Sequence, residues 1–122
     1  HGALEALWEG FVWCNPPYTI RNEKIKWVKR MVFHNNGLML MPDRTSTPWW
    51  HYGAKNCSGF FTVAHKIKFR SPDGTIHKQP STGNTIFAWN DRAMEAIWRA
   101  EKNDFGICHQ YSSPKIYNYQ RV

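Results

Sequence analysis

The residues of this chain with most chemical content stand near its start. They are Asn15-Pro16-Pro17-Tyr18, directly after the apolar run Phe11-Val12-Trp13-Cys14. With Pro at about 5% of residues, chance yields this tetrapeptide in a chain this long with probability on the order of 10⁻³ or less, which favours a chemical reason for it. Two consecutive prolines continue neither a helix nor a central strand ladder, so they stop the strand and stiffen the backbone beyond it. An amide side chain, a fixed backbone carbonyl and an aromatic face are then presented together at the carboxyl end of a strand, where open α/β sheets bind ligands. The Asn15 amide oxygen and the Pro16 carbonyl could accept both hydrogens of a planar aromatic amine. Such an amine is a poor nucleophile because its lone pair is delocalised into the ring. Holding both hydrogens favours a more tetrahedral nitrogen with the lone pair turned outward. Tyr18 would stack on the ring, a contact of about 1–3 kcal/mol for a base on an aromatic. The chemistry these groups suit is methylation of that nitrogen, catalysed mainly by positioning and electrostatics. The plainer reading is a proline-rich turn with Tyr18 as a packing residue.

The elements that must position this corner are legible in the patterning. Gly10 to Cys14 reads as a short buried strand, preceded by the end of a helix over Ala3 to Trp8 that Gly10 closes. Ile25, Val28, Met31 and Val32 fall at helical spacing, and the spacing predicts a helix from Glu23 to His34 with Asn35-Asn36-Gly37 as its stop. Leu38-Met39-Leu40-Met41 is continuously apolar, as in strands buried in parallel sheets, and Pro42 ends it. Strand, helix and strand make a right-handed βαβ unit. Thr45-Ser46-Thr47-Pro48 offers a hydroxyl cap and a first-turn proline for a helix carrying Trp49, Trp50 and Tyr52. Further strands are expected over Phe60 to Ala64, Ile67 to Phe69 and Thr85 to Trp89. A turn is expected at Ser71-Pro72-Asp73-Gly74, a loop from Thr75 to Gly83, and a helix from Arg92 to Lys102 capped by Asp91. After Gly106 no period is evident. No repeat or linker divides the chain, so residues 1–122 read as a single domain.

Sixteen Lys+Arg against nine Asp+Glu leave +7, a balance that favours a polyanionic partner such as DNA or RNA. Hydrophobic residues at 42% and aromatics at 16% describe a globular chain rather than a disordered one. Cys14, Cys57 and Cys108 form no paired spacing, which argues for a reducing cytosol over a disulfide framework. Cys108-His109 is too isolated for a zinc site and reads as a buried thiol beside a surface histidine; no metal is expected. No apolar run is long enough for a membrane span.

Taken in order, V-W-C-N-P-P-Y, a Lys-rich helix with K-W-V-K, L-M-L-M-P, R-T-S-T-P-W-W-H, K-I-K-F-R and G-N-T-I-F resemble the phage-type DNA adenine-N6 methyltransferases, from about Gly2 to Asn90. The resemblance implies a class I, Rossmann-like α/β sheet, S-adenosylmethionine as cofactor, and double-stranded DNA as partner with the target base swung out of the duplex. It makes Asn15, Pro16, Pro17 and Tyr18 the catalytic motif, with Asn15 and Pro16 also touching the cofactor. Arg44, Thr45 and Thr47 lie in the loop after the next strand. It also implies a cytoplasmic location in a bacterial or phage-infected cell. Relatives carry an acidic-ended strand before the motif that helps to hold the cofactor. About fourteen residues precede Asn15 here, and no G-x-G follows a strand downstream. The expectation is therefore the C-terminal, target-base half of such a sheet, with an antiparallel final hairpin. A homodimer in which two chains complete one cofactor pocket stays open.

Nucleic-acid contacts are expected from Arg44, Thr45 and Thr47, although the two threonines also suit helix caps and Arg44 a surface ion pair. Lys66, Lys68 and Arg70 alternate with Ile67 and Phe69, so their charges would share one strand face able to track phosphates. The alternative is a solvated hairpin face. Lys78, Lys115 and Arg121 could extend the surface, and Tyr111, Tyr117 and Tyr119 most simply pack on the sheet. One of Trp49 and Trp50 must be core. Rival functions are methylation of cytosine N4, an RNA base or a protein glutamine, and, in another class, an inactive module that only binds DNA.

Overall fold

The computed structural model describes residues 4, 6–16, 23–65 and 83–110. The chain enters β1 (Val12–Cys14) through Gly10, whose φ of 65° is the left-handed conformation that glycine adopts without cost. Trp8 lies before it outside any helix and meets the His34 ring edge-on at 5.8 Å, while the His34 Nε2 lies 2.6 Å from the Gly10 carbonyl. The expected helix over Ala3 to Trp8 therefore does not reach Leu7 and Trp8. Trp8 instead packs its ring against the next helix, while Leu7 is exposed.

That helix, α1 (Lys24–His34), buries Trp27, Val28 and Met31. It stops at Asn35, left-handed at φ 57°, whose N–H donates to the Met31 carbonyl at 2.7 Å. Gly37 is not part of the stop. It opens β2 (Gly37–Pro42), and a Cβ there would meet the Val12 carbonyl oxygen at 2.1 Å, so only glycine lets β1 and β2 close into a parallel pair. Val12, Trp13 and Cys14 stand opposite Gly37, Leu38 and Met39.

Thr47 caps α2 (Pro48–Asn56), accepting from the Trp50 N–H with Pro48 in the first turn. There follow β3 (Gly59–Val63), β4 (Asn84–Trp89), α3 (Asp91–Lys102) and β5 (Gly106–Gln110). The helix cap of α3 is Asn90 rather than Asp91, its side chain accepting from the Asp91 N–H at 2.8 Å. The five strands form one sheet in the order β1-β2-β4-β3-β5. Among the described strands only β1 and β2 are parallel; β4 inserts antiparallel between β2 and β3, and β5 adds antiparallel to β3. The chain is thus α/β with a mixed sheet.

Strand alternation sorts the side chains into two layers. Met39, Phe87 and Phe60 stand in one row across β2, β4 and β3, on the face covered by Trp27, Val28 and Met31 of α1 and Trp50 of α2. On the other face Leu38, Ala88 and Phe61 meet Ala93, Met94 and Ile97 of α3. β5 was not expected. Of its residues Ile107, His109 and Gln110 are exposed and none is fully buried, so it carries no alternating signal and exists because β3 offers an edge. Its Cys108 is half-buried rather than buried, while His109 stacks on Phe60 with ring centroids 4.8 Å apart. Pro17, Tyr18, the Ile67–Phe69 strand, the 71–74 turn, most of the 75–83 loop, Lys78 and the tail tyrosines and cations lie outside the described residues.

Candidate functional site

Because β1 and β2 are parallel, the segments leaving them emerge from the same edge of the sheet. One is Asn15-Pro16, the other Asp43-Arg44. Asn15 is exposed and Pro16 is buried. The ring of Pro16 fixes its own φ and confines Asn15 to extended backbone, and Pro17 does the same to Pro16. A buried proline thus anchors the corner while the amide residue before it stands at the surface. Pro17 and Tyr18 complete the motif in sequence but lie outside the described residues.

Cys14, immediately before Asn15, is buried, and burial pushes its thiol up to about 11. Burial likewise takes Cys57 to about 12, against which its backbone hydrogen bonds act only weakly. Neither is a thiolate at neutral pH, so neither can serve as a nucleophile. Among the described residues no group of three or more His, Cys, Asp or Glu could hold a metal ion. The β1 end also carries an amide side chain and backbone carbonyls, groups of a type that accepts hydrogen bonds.

At the β2 end the loop is tied down through a side chain that sequence patterning passed over. The Asp43 N–H donates to the Gly83 carbonyl at 2.9 Å, and its Oδ1 accepts from the Thr85 hydroxyl at 2.8 Å. That hydroxyl accepts in turn from the Trp50 indole N–H at 3.1 Å. One chain of hydrogen bonds therefore joins α2, β4 and the loop after β2. The available signal was an acidic residue directly beyond an apolar strand ending in proline. Asn84 was also missed. It is 6% exposed, donates to the Met41 carbonyl at 3.3 Å, and its Oδ1 has no hydrogen-bond partner among the described residues.

Arg44, Thr45 and Thr47 are brought into one turn. The Thr47 hydroxyl donates to the Arg44 carbonyl at 2.8 Å as well as capping α2, and the Thr45 carbonyl lies 2.6 Å from the His51 Nε2. The hydroxyl of Thr47 is thus committed to the cap. Arg44 is exposed and makes no ion pair among the described residues. Lys66, Lys68 and Arg70, the other expected nucleic-acid set, lie outside the described residues. Of the tryptophans, Trp50 is core and Trp49 is half-buried, with the Lys24 ammonium 5.9 Å from its ring centroid.

The cofactor implied by the sequence resemblance has to fit these groups. No glycine-rich turn follows a strand among the described residues, and the carboxylate at this edge, Asp43, is engaged by Thr85. Among the described residues, therefore, Asn15, Pro16 and their neighbours do not form a cradle for S-adenosylmethionine. No helix among the described residues is long and apolar enough to cross a membrane. No family model, characterised protein or solved structure matches this chain.

Proposed function

We propose that the Asn15-Pro16 corner holds the exocyclic amino group of a nucleic-acid base for methylation, with adenine N6 in double-stranded DNA as the target. The observation that carries this reading is an exposed asparagine followed by a buried proline at the carboxyl edge of the parallel strand pair. Two acceptors fixed there, the Asn15 amide oxygen and the Pro16 carbonyl, would take the two amino hydrogens and turn the nitrogen lone pair outward. Positioning of this kind needs neither a nucleophile nor a metal. The mixed sheet, parallel at β1–β2 and antiparallel at β3–β4, agrees with the target-base half that the resemblance implies. The net charge of +7 favours a nucleic acid over a protein glutamine as the amine's source. S-adenosylmethionine is the methyl donor the resemblance implies, and this reading assigns Asn15 and Pro16 to the amine that receives the methyl group.

Transfer of tritiated methyl groups to DNA, followed by nucleoside digestion, tests the reading. The expected product is N6-methyladenine, and Asn15→Ala should lower transfer about 10²-fold or more, as losing one preorganised hydrogen-bonding group does elsewhere, with DNA affinity retained. Unchanged turnover in Asn15→Ala would remove the proposed role, and methylcytosine in the digest would move the target to cytosine N4. A second reading, an inactive DNA-binding module, is favoured by the net charge of +7, which needs no catalytic site to explain it. Calorimetry separates the two: the module would bind DNA in a salt-sensitive way and S-adenosylmethionine not at all.

A further inference from the structure

The two faces of the sheet differ in charge. α1 and α2 together carry Lys24, Lys26, Lys29, Arg30 and Lys55 and no carboxylate, whereas α3 balances Arg92, Arg99 and Lys102 with Asp91, Glu95 and Glu101. On a helix of 3.6 residues per turn, Lys26, Lys29, Arg30 and Phe33 fall on one outward stripe. Lys26, Lys29 and Lys55 are exposed. The Lys29 ammonium stands 5.7 Å from the Tyr52 ring centroid, which joins the stripe to α2. Phe33 is 86% exposed, although its helix buries Trp27, Val28 and Met31 on the opposite side. The Arg30 guanidinium lies 4.6 Å from the Trp8 ring centroid and 6.0 Å from that of Phe33, and it donates to the Ala6 carbonyl at 3.1 Å. An anchored arginine thus lies beside a bare aromatic ring at the end of the cationic stripe.

From this arrangement we infer that the outward face of α1 and α2 binds a single-stranded segment of nucleic acid. Lys26, Lys29 and Lys55 neutralise its phosphates, and the Phe33 ring stacks on one unpaired base. A basic track interleaved with an aromatic platform is what such a strand requires, since every base offers a π face. The Lys26–Glu23 pair, 3.5 Å apart, leaves the lysine side chain 63% exposed and so open to a phosphate as well. An anionic membrane suits this face less well. A helix lying in a membrane interface needs its apolar side free, and the apolar sides of α1 and α2 are buried against the sheet. The inference does not depend on methyl transfer.

The test is fluorescence anisotropy of a labelled strand of about twelve nucleotides, titrated with the whole chain between about 50 and 200 mM salt. A duplex of the same sequence and phosphatidylserine vesicles serve as the other probes. Lys26→Gln, Lys29→Gln and Lys55→Gln together should flatten the slope of log K against log salt by about 2, at about 0.7 per phosphate lost from a single strand. Phe33→Ala should weaken strand binding about five-fold or more at every salt concentration, with the slope unchanged. The matched triple on α3, Arg92→Gln, Arg99→Gln and Lys102→Gln, should leave the slope as it was. Equal flattening by both triples would overturn the inference, because binding would then follow net charge. So would tighter binding of the duplex than of the strand, full affinity in Phe33→Ala, or loss confined to vesicle binding. None of these readouts involves methyl transfer, so failure of the methylation reading and failure of this one are separable.

Discussion

Thr85→Val isolates the hydrogen-bond chain that ties the loop after β2 to the rest of the molecule. Thr85 is fully buried; its hydroxyl accepts from the Trp50 indole at 3.1 Å and donates to Asp43 at 2.8 Å. Valine keeps the shape and removes both bonds. The two losses are unequal. Asp43 is exposed, so water takes over at its carboxylate, whereas the Trp50 indole is buried and its N–H is left without an acceptor. An unsatisfied buried donor costs about 1–3 kcal/mol, which places the expected loss of stability near 2 kcal/mol. With a urea m-value of about 1.5 kcal/mol/M for a chain this size, the unfolding midpoint should fall by about 1.3 M. The decisive measurement is the double-mutant cycle with Trp50→Phe, which removes the donor. In that background Thr85→Val should cost about 2 kcal/mol less than in the wild type. Strictly additive costs would refute the reasoning, because they would mean that the indole never depended on the hydroxyl.

Gly37→Ala should destabilise the chain by about 3 kcal/mol in urea unfolding, because the new Cβ would meet the Val12 carbonyl oxygen at 2.1 Å and only separation of β1 from β2 relieves it; a near-neutral variant would show the strands free to part. Burial holds the Cys14 and Cys57 thiols protonated in the folded state, near 11 and 12 against an ordinary 9.0. Their contribution to stability is complete below about pH 9 and is lost as pH rises toward 11 and beyond, the folded state binding the extra protons. Stability should therefore fall more steeply above pH 9 in the wild type than in Cys14→Ala and Cys57→Ala, and parallel curves would contradict the assignment.

Local patterning made several elements legible. The Val28–Met31–Val32 spacing, the Leu38–Met41 apolar run and the Thr47-Pro48 start correspond to α1, β2 and the capped α2, since each depends on residues within a turn or two of one another. The corner at Asn15 and Pro16 was legible for the same reason: prolines restrict their own and the preceding residue's backbone whatever surrounds them. Asp43 was not, because its place depends on Thr85, forty-two residues away, and Asn84 escaped notice for an equivalent reason.

The sequence by itself determined the order and kind of most elements, the end of β1 before Asn15-Pro16, and the excess of positive charge. Only the tertiary structure decided that β4 lies between β2 and β3, that β5 exists, and that the cations of α1 and α2 gather on one face with Phe33 bare beside Arg30. Propensity and periodicity act over a few residues. Strand order, edge pairing and the sharing of charge between faces are set by which distant segments bury one another's apolar sides.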